Sequence, residues 1–172
     1  ELVRDAAAAV YAHREIKPEL AGQLFTEQHQ HWYQKLFGPS VAAGILKVAD
    51  LVGYRRDSVF LRGSLHTPPH KDDLRDGMAA LCECLQAEAD PFVRAVLGHW
   101  LFGFIHPYQD GNGRTARFSM NVLLAAGGYP WTVIRVEDRA AYMQALETAS
   151  VNEDLRPFAE FVARAMLQTA AA

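Results

Sequence analysis

The strongest constraint on the fold is a pair of apolar helical segments separated by a short loop. One covers residues 90–105 and the other residues 112–126. Both carry apolar side chains on nearly every face, so other elements must cover each of them. Asp90-Pro91 supplies a cap and a proline at the first helical position, and Gly127-Gly128 ends the second segment. These features predict a helical bundle with two central helices.

The other segments are also helical by pattern, with one exception. A helix is predicted to begin at Lys17-Pro18 and to end at Phe37, before Gly38-Pro39. Its apolar positions are Leu20, Leu24, His31/Trp32 and Leu36. Further helices are predicted over 2–14, 72–87, 137–149 and 155–169, whereas residues 58–67 are predicted to form a β-hairpin that turns at Gly63.

The predicted fold class is therefore all-α, a helical bundle with a small β-hairpin. The 172 residues fit one domain. Within it we expect N-terminal helices over 1–50, the hairpin over 51–70, a helix-loop-helix over 90–126, and closing helices over 137–170.

Composition excludes some partners. The net charge of −3 and the pI near 6.2 leave no basic field for nucleic acid or an anionic membrane. No apolar run approaches the roughly 20 residues that span a bilayer. Cys82 and Cys84 form no disulfide framework, so a reducing, cytoplasmic location is expected. Because the chain begins at Glu1 rather than Met, we expect a fragment or a processed chain, and an upstream targeting signal stays open.

The chemistry is concentrated in the loop between the two central helices. Gly111, Asn112 and Gly113 open the second helix, where converging backbone N–H groups and the positive end of the helix dipole favour an anion. Arg114 and Arg117 lie three residues apart on one face of a nearly buried helix and require an anionic partner. Phosphate groups suit both features.

Two further side chains lie beside this anion site. Asp110 is placed to hold Mg²⁺ together with phosphate oxygens. His106 is the only nearby side chain that titrates near neutrality, which suits a general base. A helix C-terminus would, however, favour the charged imidazolium, and the sequence leaves that tension open.

Residues 106–117, His-Pro-Tyr-Gln-Asp-Gly-Asn-Gly-Arg-Thr-Ala-Arg, resemble the signature of the Fic family, with Tyr108 where phenylalanine is usual. The resemblance implies a protein adenylyltransferase that moves AMP from MgATP to a Ser, Thr or Tyr hydroxyl. It gives His106 the role of base and Asp110 that of Mg²⁺ ligand. It also implies that phosphates are bound by Gly111, Asn112, Gly113, Arg114 and Arg117.

The resemblance extends to both sides of the signature. The segment from Gly53 to Pro69 resembles the family's flap, which docks the target by β-augmentation, and this gives a docking role to Phe60, Leu61, Arg62, Gly63, Ser64 and Leu65. Tyr129-Pro130 and the segment Leu155 to Phe158 resemble the closing helices. Tyr142 and Met143 are the candidates there for contact with adenine. A homodimer is left open.

Several alternatives remain at this stage. The same fold could transfer another phosphate-containing group, remove AMP from a target, or serve as a nucleotide-dependent interaction module without catalysis. His99 is interpreted as a core or rim histidine. His66 and His70 are interpreted as surface residues, with a role in shaping the flap as the less favoured alternative. The family's inhibitory pattern, Ser/Thr-x-x-x-Glu-Gly/Asn, is absent from the sequence, and we hypothesise that it lies upstream of Leu2 in the full-length protein.

Overall fold

The computed structural model describes residues 17–170, in which six α-helices are joined by loops and short 3₁₀ turns. The helices are α1 (Ala21–Ala42), α2 (Leu74–Ala87), α3 (Pro91–Ile105), α4 (Asn112–Ala126), α5 (Arg139–Val151) and α6 (Arg156–Ala170). The 3₁₀ turns are Pro18–Leu20, Val48–Leu51 and Lys71–Asp73. The all-α prediction is confirmed for this part of the chain, whereas the helix predicted over 2–14 lies outside the described residues.

Helices α3 and α4 form the centre of the bundle, as their composition predicted. They pack against each other, while α2 and α6 also contact α3, and α1 contacts α4. The completely buried side chains of these two helices include Phe102 of α3 and Met120, Leu123 and Leu124 of α4. The predicted cap is present, because the Asp90 carboxylate accepts hydrogen bonds from the first-turn N–H groups of α3 at 2.8 and 3.0 Å. Between residues 17 and 170 no helix is long and apolar enough to cross a lipid bilayer.

Helix α1 differs from its prediction in length and in its buried face. It continues through Pro39 to Ala42, because a proline in the last turn removes only one backbone hydrogen bond and the Ala43 N–H still reaches the Pro39 carbonyl at 3.0 Å. The buried face is not formed by the apolar positions that the sequence predicted, and Leu20 is exposed. It consists of larger side chains four residues apart, namely Phe25, His29, Tyr33 and Phe37.

The predicted hairpin is present only as its turn. The Ser64 N–H donates to the Leu61 carbonyl at 3.2 Å, and Gly63 has the positive φ of 78° that such a turn requires. No strand forms in residues 51–70. The reason lies in the second arm, where the Leu65 N–H donates to the Glu147 carboxylate and the His66 N–H to the Ser64 hydroxyl. Donors engaged in this way do not pair with the first arm.

Gly22 marks the closest approach of α1 to α2. A Cβ atom at this position would lie 2.3 Å from the Leu85 carbonyl oxygen, which is a backbone atom of α2 and cannot rotate away. Gly38, in the same helix, has no heavy atom within 4 Å of the equivalent position. The two glycines therefore offer a matched comparison.

We expect Gly22→Ala to lower the free energy of unfolding by about 1–3 kcal/mol, because α1 must shift away from α2. Gly38→Ala should be neutral or stabilise by up to about 1 kcal/mol, since alanine has the higher helix propensity. Urea unfolding followed by circular dichroism measures both. Equal stability of the two variants would contradict the close approach.

Candidate active site

The loop between α3 and α4 is anchored by Tyr108. Its ring is buried and stacks on Tyr33, with centroids 3.7 Å apart and an interplanar angle of 4°. The Asn112 side chain closes the loop, since its Oδ1 accepts from the Tyr108 N–H at 2.9 Å and its Nδ2 donates to the Tyr108 carbonyl at 2.7 Å. The Tyr108 hydroxyl has no hydrogen-bond partner among residues 17–170, and burial raises its pKa.

The start of α4 leaves three backbone donors open. The first hydrogen bond within the helix runs from the Thr115 N–H to the Gly111 carbonyl, and no side chain of the described residues caps this end. The N–H groups of Asn112, Gly113 and Arg114 are therefore unpaired in this part of the chain. Gly111 has a φ of 80°, and a Cβ atom there would lie 1.9 Å from the Phe37 ring, which explains the glycine. Unpaired N–H groups at a helix start are the groups that bind anions in other proteins.

Asp110 and Arg114 lie together on the exposed side of this loop. Their charged groups are 3.7 Å apart, and the Arg114 guanidinium lies 4.3 Å from the centre of the Phe37 ring. Residues 17–170 contain no group of three or more His, Cys, Asp or Glu side chains that could hold a metal. The Asp110 carboxylate is exposed, and its Oδ1 accepts a hydrogen bond from the Gly111 N–H at 2.6 Å.

His106 ends α3 in a left-handed conformation, with φ 51° and ψ 58°. Its Nδ1 lies 3.3 Å from the Gly103 carbonyl. Because a carbonyl only accepts, Nδ1 carries the proton in the neutral ring and Nε2 keeps the lone pair. Burial lowers the pKa of His106, and the charges of Arg55 and His66 lower it further, against the Gly103 carbonyl and Asp110, which raise it. Burial is the largest of these effects, so the pKa of His106 lies below the ordinary histidine value and the neutral imidazole predominates near pH 7.

A cavity of about 420 Å³ brings part of the predicted site together. From the predicted set it is lined by His106, Gly113, Arg117, Tyr142 and Met143, together with Phe60, Leu61, Arg62 and Ser64. Apolar side chains of α3 and α5 line another part of it, among them Trp100, Phe104 and Leu146. The cavity lining does not include Asp110, Gly111, Asn112, Arg114, Gly63 or Leu65.

Arg117 belongs to a chain of contacts that spacing along the sequence does not reveal. Its guanidinium hydrogen-bonds the Tyr142 hydroxyl, which lies 2.9 Å from His99 Nε2. Because arginine only donates, the Tyr142 hydroxyl accepts from Arg117 and donates a hydrogen bond to the Nε2 lone pair of a neutral His99. Burial and the charge of Arg117 lower the pKa of His99 to about 3. His99 is a core residue, as expected, and it also fixes the hydroxyl that contacts Arg117.

The segment over residues 58–67 is tethered from two sides. Glu147 of α5 accepts from the Ser64 hydroxyl and, at 2.7 Å, from the Leu65 N–H. The Nε2 atom of His66 lies 2.9 Å from the Phe104 carbonyl oxygen near the end of α3. The His66 ring also stacks on the Phe104 ring, with centroids 4.0 Å apart. The interpretation of His66 as a plain surface residue is therefore wrong, because its imidazole satisfies a carbonyl that the helix end leaves unpaired.

The fold and this loop define a helical protein with an anion site at a helix start and a neutral histidine at its edge. A family model described as the Fic/DOC family matches residues 19–124, and the chain belongs to this family.

Curated relatives and solved structures agree with this assignment. The chain is 41% identical over 120 residues to the protein adenylyltransferase Fic of Nematostella vectensis, covering 67% of this chain and 27% of that protein. It is 36% identical over 102 residues to protein adenylyltransferase fic-1 of Caenorhabditis briggsae, covering 57% and 20%. The chain thus spans about a quarter of the length of these relatives.

Among solved structures, Fic-1 (residues 134–508) of C. elegans superposes with a TM-score of 0.74 at 24% identity, covering 98% of this chain and 46% of that one. A Fic family protein of Desulfovibrio desulfuricans G20 gives a TM-score of 0.69 at 27% identity, covering 99% and 53%. The first of these supports the fold alone.

Removal of the carboxylate that tethers the segment should loosen it. In Glu147→Ala we expect the Leu65 amide to exchange with solvent at least about 10-fold faster, because a hydrogen bond to a charged group contributes about 1.5 kcal/mol or more. Gln144→Ala, an exposed position on the same helix, is the control. Hydrogen exchange followed by NMR measures the rates. An unchanged Leu65 rate in Glu147→Ala would show that the tether does not hold the segment.

Proposed function

We propose that this chain is a protein adenylyltransferase domain that transfers AMP from ATP to a hydroxyl group of a target protein. The observation that carries the proposal is that the His106 imidazole, the start of α4 at Gly113 and the Arg117 guanidinium line one cavity. A base, an anion site and a cation in one cavity suit phosphoryl chemistry. The names of the curated relatives support the same activity.

The cavity divides by chemistry, and this division suggests how ATP would lie in it. The phosphates would occupy the unpaired N–H groups at residues 112–114, with Arg117 on the inner side and Arg114 on the exposed side. Asp110 would hold Mg²⁺, whose charge would offset that of the phosphates. The adenine would occupy the apolar part beside Trp100 and Met143.

The proposed step moves one adenylyl (AMP) group to the target oxygen and one proton to His106. The oxygen of the target hydroxyl forms a bond to the α-phosphorus of ATP, while the bond from that phosphorus to the bridging oxygen breaks and pyrophosphate leaves. The hydroxyl proton passes to Nε2 of His106, which is free because Nδ1 faces the Gly103 carbonyl. Positioning and charge stabilisation supply most of the rate, as in other phosphoryl transfers.

The target would dock along residues 59–61. Within residues 17–170 the backbone N–H groups of Val59, Phe60 and Leu61 have no hydrogen-bond partner, and the Phe60 side chain is 83% exposed. An extended target segment paired with this stretch would bring a hydroxyl to the mouth of the cavity. The opposite arm is not available in this structure, since Glu147 holds the Leu65 N–H.

Replacement of the proposed base tests the mechanism directly. His106→Ala should reduce AMP transfer by about 10²- to 10⁴-fold, the usual contribution of a general base. ATP affinity should change by less than about threefold, because the phosphate contacts lie on other residues. Transfer is measured with α-labelled ATP and Mg²⁺, with and without cell lysate, and affinity by calorimetry.

The exposed histidine variant His70→Ala is the control for that assay. In the same assay unlabelled ATP should compete with the label, whereas UTP and CDP-choline should not. Label on protein at the wild-type rate in His106→Ala would exclude the role of His106. ATP binding without any label on protein, in the wild type as well, would favour the non-catalytic interaction module.

The lowered pKa of His106 predicts the pH dependence of transfer. The base works only when neutral, and its pKa lies below the ordinary histidine value of 6.5. The value of kcat/KM, which reports the free enzyme, should therefore show an acidic limb with its midpoint below pH 6.5, and it should fall by about tenfold per pH unit below the pKa of His106. ATP affinity measured at each pH separates binding from chemistry. An acidic limb centred above pH 6.5 would contradict a buried neutral imidazole.

A further inference from the structure

Arg55 is a buried arginine whose donors are engaged by main-chain carbonyl groups. Only 5% of its surface is exposed. The guanidinium donates from Nε to the His106 carbonyl at 2.9 Å, from Nη1 to the Asp57 carbonyl at 2.7 Å, and from Nη2 to the Pro69 carbonyl at 2.6 Å. The Arg55 main-chain N–H donates to the Pro107 carbonyl at 2.8 Å. No carboxylate of the described residues forms a salt bridge with it.

These carbonyl groups belong to three separate parts of the chain. Asp57 immediately precedes the segment over residues 58–67 that we propose to dock the target, and Pro69 follows it. His106 and Pro107 belong to the catalytic loop. One side chain thus joins both ends of the docking segment to the main chain of the proposed base. Its planar guanidinium group fixes the angles between these hydrogen bonds.

Arg55 donates a hydrogen bond to His106, whose backbone conformation is unfavourable. A non-glycine residue in the left-handed region persists only where its surroundings hold it there. The His106 peptide is held from both sides, since its N–H donates to the Phe102 carbonyl at 3.0 Å and its carbonyl accepts from Arg55. This conformation directs the imidazole toward the Gly103 carbonyl and leaves Nε2 for the cavity.

We propose that Arg55 is a positioning residue for the transfer step, which keeps the docked target hydroxyl and the His106 imidazole in a fixed relation. The inference rests on the proposed function. Arg55 is not among the residues that line the cavity containing His106, so it acts through the main chain and does not contact the nucleotide. Loss of Arg55 therefore affects the chemical step rather than ATP binding.

The chain contains a matched control in Arg94. Arg94 is 2% exposed and also donates to main-chain carbonyl groups, those of Glu88 and Pro18. It lies in the first turn of α3, at the opposite end of that helix from His106. Arg94→Ala thus removes a buried arginine of the same kind without touching the docking segment or the catalytic loop. Arg56→Ala, the exposed neighbour, controls for the loss of a nearby charge.

The test compares Arg55→Ala with these two variants. In Arg55→Ala we expect kcat for AMP transfer to fall at least about tenfold, while the Kd for ATP stays within about threefold. Added methylguanidinium should restore part of kcat in Arg55→Ala. Arg94→Ala should melt at a lower temperature with an unchanged kcat, and Arg56→Ala should match the wild type. Should Arg55→Ala fail to fold, Arg55→Lys serves instead, because a single ammonium cannot reach all these carbonyl groups and kcat should still fall.

Two outcomes would overturn the proposal. One is a lower melting temperature in Arg55→Ala with kcat unchanged, as in Arg94→Ala, which would make Arg55 structural only. The other is a parallel loss of kcat and ATP affinity, which would place its effect on the phosphate site. The NMR resonances of the His106 imidazole decide the matter independently of activity. They should shift in Arg55→Ala and not in Arg94→Ala, even if the wild type transfers no AMP, and no shift would refute the positioning role.

Discussion

The junction between the end of α3 and the start of α4 is the feature on which the rest of the site depends. A helix end leaves carbonyl groups unpaired and a helix start leaves N–H groups unpaired. Within residues 17–170 of this protein, the carbonyl groups of one end are paired, whereas the N–H groups of the other are not. On the α3 side His106 Nδ1 pairs with the Gly103 carbonyl, His66 with the Phe104 carbonyl, and Arg55 with the His106 carbonyl. On the α4 side the N–H groups of residues 112–114 have no partner within the described chain, so only this end is ready for an anion.

The side chains that pair with the carbonyl groups at the end of α3 also influence the protonation state of His106. Arg55 and His66 surround His106 for a structural reason, since each pairs with a carbonyl of the same helix end, and their charges add to the effect of burial on its pKa. The Gly103 carbonyl still raises the pKa of His106, but burial and the charges of Arg55 and His66 lower it by more. A helix end that would favour a charged histidine thus holds a neutral one, with its Nε2 lone pair at the cavity.

The sequence predicts those parts of this arrangement that depend on neighbours along the chain. Proline, glycine and the Asp90 cap define α3 and α4, and the loop from His106 to Arg117 follows from its own residue types. What it misses are the contacts that join site residues across long separations. His99 and Tyr142 lie 43 residues apart, Ser64 and Glu147 lie 83 apart, and Arg55 meets His106 across 51. No periodicity relates such pairs, so only packing brings them together.

The absence of the predicted hairpin also results from tertiary contacts of residues 58–67, and it bears on how a target would dock. The apolar run Val59-Phe60-Leu61 and the glycine turn favour strands, yet the His66 N–H, the next one that would pair with the first arm, donates to the Ser64 hydroxyl instead. The segment is then fixed at its ends by Arg55 and on one side of its turn by Glu147. Within residues 17–170 the N–H groups of residues 59–61 have no partner, and Phe60 is exposed. An edge that pairs with no other strand in this part of the chain can offer its N–H groups to a target strand without first breaking a hairpin, which suits a surface that receives an extended segment.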